Sequence, residues 1–235
     1  MCGRFRQTRS QKLLEERFQA ESEGEIEARP RYNIAPTQPV VTVRHERGKS
    51  KRRLSTMRWG LIPSWAKDIH SRCQTINARS ESVTERLSFS DAVNYRRCLI
   101  PADGFYEWKV TGKTRQPYMF EVGERELFAF AGLWDRWKSP EGKIIESCTV
   151  LTTTPNTLLA DIHDRMPVIV PPDKYDLWLD PEIEDFEALR VILQPYDASQ
   201  MRHYPVSPRV NSVQNEDAEC ASPITVELPE QAQLF

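Results

Sequence analysis

Three residues of this chain have side-chain types and settings that suit covalent or proton-transfer chemistry: Cys2, Glu107 and His163. Cys2 follows Met1, and methionine before so small a residue is commonly removed. Removal would place an α-amine, with a reference pKa of about 8, beside a thiol of about 8.5. That pair suits an aldehyde. The amine forms an imine, and the thiol then adds to close a five-membered thiazolidine ring. A cysteine here equally suits a plain buried core residue. His163 stands in Asp161-Ile162-His163-Asp164-Arg165-Met166-Pro167, between two acids and beside a cation. A general acid or base fits that setting, and so does a solvated surface turn. Glu107 lies in the aromatic run Asp103-Gly104-Phe105-Tyr106-Glu107-Trp108-Lys109. Strand alternation puts Phe105, Glu107 and Lys109 on one face and Tyr106 and Trp108 on the other. A carboxyl against aromatic surface has its pKa raised, which suits proton transfer. The alternative is an edge charge paired with Lys109.

Other segments carry residue types that hold unpaired nucleic acid. Tyr32 to Gln38, which includes Asn33 and Pro36, and Trp59 to Trp65 read as loops with proline and aromatic tips. Ile76 to Ser82 leads into a helical stretch. Aromatic rings stack on bases, and Arg4, Arg79 and Arg165 could hold phosphates. Against this, tryptophans are mostly core and surface arginines mostly pair with acids. The net charge of -2 means that any nucleic-acid surface must be local.

These residues need elements to position them. Ser10 to Ala20 reads as a helix, with Leu13, Leu14 and Phe18 on one face. Strands are read over residues 39–45, 54–59, 97–101, 105–110, 117–122, 127–133, 147–153 and 166–170. Helices are read over 80–95 and, as two acidic ones, over 172–179 and 185–193; 155–162 suits a short one. Many short strands with helices towards the ends predict a single α+β domain on a largely antiparallel, barrel-like sheet. Its expected extent is residues 1–223, with 224–235 as a tail. Seventeen prolines against nine glycines point to rigid loops. Apolar residues at 39% of 235 supply a real core, and the short apolar runs exclude a membrane span. Five scattered cysteines form neither a disulfide framework nor a zinc site. With no leader-like apolar segment at the start, a cytoplasmic protein with reduced thiols is expected.

In chain order, the motifs MCGR, YNIAPTQ, RWGLIPSWAK, INARSES, IPADGFYEWK and DIHDRMP resemble the SOS-response-associated peptidase (SRAP) family, whose members process abasic sites in DNA. The match runs to about Asn215. The resemblance implies the SRAP fold and Cys2 as the crosslinking residue. It implies that Asn77 positions Cys2 and the sugar, that Glu107 moves protons during imine formation, and that His163 assists at the opened sugar oxygen. Arg79 and Arg165, with Arg4, would grip phosphates; the loops of Asn33, Pro36 and Trp65 would stack beside a flipped-out site. The expected partner is single-stranded DNA containing an abasic site, handled near the nucleoid by a monomer without metal or cofactor. The expected activity is a DNA–protein crosslink with lyase-like chemistry, plus peptidase removal of Met1. Two other readings compete: a cysteine peptidase using Cys2, His163 and Glu107, and a non-covalent reader of modified DNA. Gln231, Leu234 and Phe235 resemble the short peptide with which bacterial replication and repair proteins bind the sliding clamp, with Ala232 and Gln233 departing from it; docking of this apolar end on the chain's own domain is the equal alternative.

Overall fold

Every strand expected between Pro39 and Thr153 forms, and most run longer than the hydrophobic pattern indicates. The computed structural model describes residues 2–22, 26, 29–69 and 75–226. In chain order the strands are β1 (Phe5–Gln7), β2 (Ala20–Ser22), β3 (Arg31–Ile34), β4 (Pro39–Arg44), β5 (Arg52–Trp59), β6 (Asn77–Arg79) and β7 (Arg97–Ala102). There follow β8 (Gly104–Thr111), β9 (Thr114–Val122), β10 (Phe128–Lys138), β11 (Ile144–Thr153), β12 (Met166–Pro167), β13 (Ile169–Val170) and β14 (Met201–Pro205). The α-helices are α1 (Gln11–Phe18), α2 (Ser90–Tyr95) and α3 (Tyr175–Leu179).

The strands form two sheets. One has the order β14-β9-β8-β1-β3; the other runs β12-β11-β10-β7-β4-β5-β2, with β6 and β13 pairing to β11 and β10. Pairing is antiparallel except where β11 meets β5 and β6 and where β2 meets β5. The α+β, barrel-like domain expected from the strand pattern is thus what the chain adopts. Phe5, Phe105, Phe120 and Phe130 pack edge-on or stacked between the sheets, and Cys2 lies in the same cluster. A second cluster beneath the helices gathers Leu14, Phe18, Leu99, Trp178 and Leu189. Among the described residues no helix is long and apolar enough to cross a membrane.

The helices are shorter than expected. Residues 80–95 hold only a 3-10 turn at Val83–Glu85 and α2. Ser80, Ser82 and Ser88 interrupt them, and serine offers the backbone local alternatives to helix bonds. Residues 155–162 fold as turns closed by Ala160 N–H to Asn156 O (3.0 Å) and His163 N–H to Leu159 O (2.9 Å). The 185–193 segment is a 3-10 helix, Phe186–Ile192. The strand expected over 166–170 breaks at Val168, whose N–H turns to Leu151 O while its carbonyl accepts from Ala131. Part of YNIAPTQ, read as loop, is β3. Residues 227–235, including Gln231, Leu234 and Phe235, lie outside the described residues; Ile224 N–H still bonds Pro205 O.

Candidate active site

Register brings the reactive residues together. Antiparallel β1 pairs Phe5 with Phe105, and Tyr106 N–H donates to Arg4 O (3.0 Å), so the residues just before β1 lie beside Glu107. From the other sheet, β6 runs parallel to β11 with Asn77 opposite Val150. There the Asn77 Nδ2 donates to Cys2 O at 2.8 Å. Cys2 is therefore held between the two sheets and is fully buried. Its thiol points to Arg4 O, 3.8 Å away. His163 arrives on the turns before β12, with its Nε2 3.9 Å from Glu107 Oε2. The alternation expected in β8 holds: Phe105 packs between the sheets, whereas Tyr106 and Trp108 join the opposite cluster with Val210 and Cys220.

The charges follow from burial. Loss of water raises Glu107 to about 7. Burial, reinforced by the neighbouring Glu107, raises the Cys2 thiol far above its ordinary value. Burial lowers His163. Two close approaches to His163 Nδ1 compete: Arg165 N–H at 3.0 Å and Asp164 Oδ1 at 2.9 Å. A backbone N–H can only donate, and the lowered pKa favours the neutral ring. Nδ1 is then the acceptor, and the remaining proton sits on Nε2, facing Glu107. Asn77 Oδ1 is buried with no hydrogen-bond partner among the described residues.

A cleft of about 620 Å³ opens over these groups, lined by Gly3, Arg4, Pro36, Glu107, His163 and Asn211, and extends along Trp108 and Val110 to Arg115. Next to Pro36, which lines the cleft, stands Thr37. Thr37 sits at φ 73, rare for a β-branched residue, and is held there by its N–H to Trp59 O (2.7 Å) and by Arg58 Nη1 on its carbonyl (2.9 Å). Trp65 is 56% exposed, whereas Trp59 is core. The Trp65 loop is fixed by Ser64 N–H to Asp135 Oδ2 (2.7 Å) and Trp137 Nε1 to Ala66 O (2.6 Å).

Not every expected phosphate ligand is free to serve. Arg79 is exposed. Arg165 is buried, with Nη1 and Nη2 each 2.8 Å from a Glu81 oxygen and Nη2 2.6 Å from Thr152 O. A phosphate reaches it only by displacing Glu81. Arg4 is spent on Asn33 Oδ1, Val210 O and Asn211 O. Asn33 is fully buried and donates to Val210, Ser212 and Asn215 carbonyls, so it braces the cleft wall rather than facing DNA. Glu81 and Asn211 carry roles the sequence reading did not assign. Glu81 lies inside the quoted INARSES motif; Asn211 sits far away in sequence and gave no signal.

A profile of the family described as SOS response associated peptidase (SRAP) matches residues 1–213. The chain belongs to the SRAP family. Among SRAP relatives, the "Abasic site processing protein YoqW" of Bacillus subtilis is 44% identical over 223 residues, covering 93% of this chain and 98% of that protein. The "Abasic site processing protein HMCES" of Gallus gallus is 35% identical, covering 86% of this chain and 69% of that protein. The fold matches a crystal structure from Bacteroides thetaiotaomicron at a TM-score of 0.86 and 24% identity, over 95% of this chain and all of that one. A second, from Bordetella bronchiseptica, matches at 0.76 and 28% identity, over 88% of this chain and all of that one.

Proposed function

We propose that this SRAP chain captures abasic sites in single-stranded DNA as a thiazolidine on Cys2. The names of its relatives support abasic-site processing; the chemistry rests on the site. The observation that carries it is that Glu107 and His163 line one cleft beside Gly3 and Arg4, while Cys2, buried next to Glu107, is held through its carbonyl by Asn77.

In the proposed sequence, loss of Met1 frees the Cys2 α-amine. The amine adds to the C1′ aldehyde of the ring-opened sugar, and expulsion of water gives an imine. The thiol then adds across the C=N bond, leaving a secondary amine in a five-membered ring. The net change is one water lost, with no oxidant, metal or cofactor needed. Glu107, titrating near 7, can donate a proton to the departing water and then take one from the thiol, which burial keeps protonated. Nε2–H of His163 is the donor for the opened sugar oxygen. The unpaired Asn77 Oδ1 is available to the amine or to a sugar hydroxyl. Closing the ring removes the imine that would permit β-elimination, so the strand stays intact. A cleft that admits a bare sugar selects against a base-bearing nucleotide, provided the nucleotide is turned out of the stack.

Burial opposes a standing Cys2 thiolate for peptidase turnover in trans; a single self-removal of Met1 by hydrolysis needs the thiol deprotonated only transiently, with neighbouring Glu107 as the base. Intact mass after mixing with abasic single-stranded DNA is the test. The expected species is the chain lacking Met1 plus the oligonucleotide minus one water. A durable adduct on protein that keeps Met1 would overturn the mechanism. For the tail, binding to the sliding clamp through Gln231, Leu234 and Phe235 is proposed against docking on its own domain; a clamp tether would raise local concentration at stalled forks. Binding of the tail peptide to the clamp, lost in Leu234→Ala/Phe235→Ala, tests this; no binding removes it.

A further inference from the structure

The β8–β9 hairpin leaves the body of the protein. β8 pairs with β1 only through Gly104 and Phe105, and β9 pairs with β14 only from Tyr118 onward. Val206 still bonds Pro117 O and the Gln116 side chain; beyond them the two strands continue without a further strand partner, from Val110 opposite Arg115 to Thr111 opposite Thr114. The two-residue turn has Gly112 at φ 60 in its first position, the place where glycine is favoured in such hairpins. All seven residues from 109 to 115 are exposed. A projecting two-stranded ribbon buries no core of its own, so packing does not dictate its composition.

That composition is one-sided. Lys109, Lys113 and Arg115 lie within seven residues that contain no acid. None of the three is ion-paired among the described residues. By contrast, Arg6, Arg31, Arg44, Arg47 and Arg209 each reach a carboxylate within 3 Å. In a protein of net charge -2, a protruding uncompensated cationic ribbon calls for an anionic partner. The cleft says where that partner lies. Val110 and Arg115 are directly opposed, share a face, and line the same cavity as Glu107 and His163. At ~3.3 Å per residue, Val110, opposite Arg115, stands about 10 Å and Gly112 about 17 Å from Glu107 along the strand, a reach of about one to three nucleotides.

We propose that the β8–β9 ribbon is a second DNA contact, in which Lys113 and Arg115 hold backbone phosphates about one to three nucleotides from the lesion. The partner is the single strand flanking the abasic nucleotide, so the inference rests on the DNA reading above. It adds a sequence-independent contact outside the catalytic groups.

The test is equilibrium binding, across a salt series, to a single strand of about 20 nucleotides with a central tetrahydrofuran site, which lacks the C1′ hydroxyl and so forms no aldehyde; adduct on the true abasic oligonucleotide is read separately on a denaturing gel. Each lost phosphate contact on a single strand flattens the log–log salt slope by about 0.7. Lys113→Ser/Arg115→Ser is therefore expected to reduce the slope by about 1.4. Lys113→Arg/Arg115→Lys, which keeps both charges, retains the wild-type slope. Lys143→Ser, on the exposed β10–β11 turn, also retains it. Coincident slopes for wild type and the double serine variant would overturn the inference. Absence of adduct on wild type, with the slope still flattened in the variant, would sink the covalent reading and keep this one.

Discussion

Replacing Glu107 with glutamine separates the protonation of this carboxyl from its shape. Glu107 is buried and its carboxyl is moved from an ordinary 4.5 to about 7, chiefly by loss of water. Between those values the folded protein keeps a proton that the unfolded chain has released. The stabilisation is fully present below about pH 4.5 and is lost as pH rises through about 7. At 1.36 kcal/mol per pH unit, the displacement is worth about 3 kcal/mol, most of it lost between pH 5 and pH 8. Glutamine does not titrate. Glu107→Gln should therefore gain on wild type by most of that amount between pH 5 and pH 8. With a urea m-value of about 3 kcal/mol/M for a chain of this size, the gap in unfolding midpoints widens by just under ~1 M. Urea titrations of both proteins at the two pH values, without DNA, measure it. The same variant should slow adduct formation by about 10²–10⁴-fold, because a single acid/base group is removed. A midpoint gap that stays constant from pH 5 to pH 8 would refute the assignment of a raised pKa to Glu107, whatever the crosslinking rate.

Three further outcomes are expected. Cys2→Ala keeps an α-amine but cannot close the ring, so its adduct should survive denaturation only after borohydride trapping; a durable adduct without reductant would exclude the thiazolidine. Asn77→Asp keeps the shape but loses the donor to Cys2 O, and single-turnover assays should show slower crosslinking; a wild-type rate would mean that this bond does not position the nucleophile. Arg79→Ala, at an exposed site, should flatten the salt dependence of DNA binding by about 0.7 with little change in stability. Arg165→Ala, which strands Glu81 and Thr152 O, should in addition destabilise the fold by about 1–3 kcal/mol, read by thermal or urea unfolding. Equal stability losses for the two arginines would contradict their different burial.

Strand positions in the middle of the chain were legible because alternation and β-branched or aromatic runs are local properties. The chemistry of Cys2, Glu107 and His163 was legible because residue type and neighbours announce it. Helix extents were not: Ser80 N–H is drawn to Thr152 O on β11, the other serines of residues 80–90 offer local alternatives to helix bonds, and the turns after Pro155 close on their own carbonyls. The sequence alone named the candidate nucleophile, acid and histidine and the sheet-rich class. Only the tertiary structure decided that β1 and β8 pair in the register that sets Cys2 beside Glu107, and that Asn77 reaches its carbonyl from the other sheet. It also separated exposed Arg79 from Arg165, locked on Glu81, and placed Asn33 inside the wall. The physical reason is that alternation and side-chain type are written residue by residue, whereas burial, register and charge pairing depend on segments up to about two hundred positions apart, such as Arg4 and Asn211.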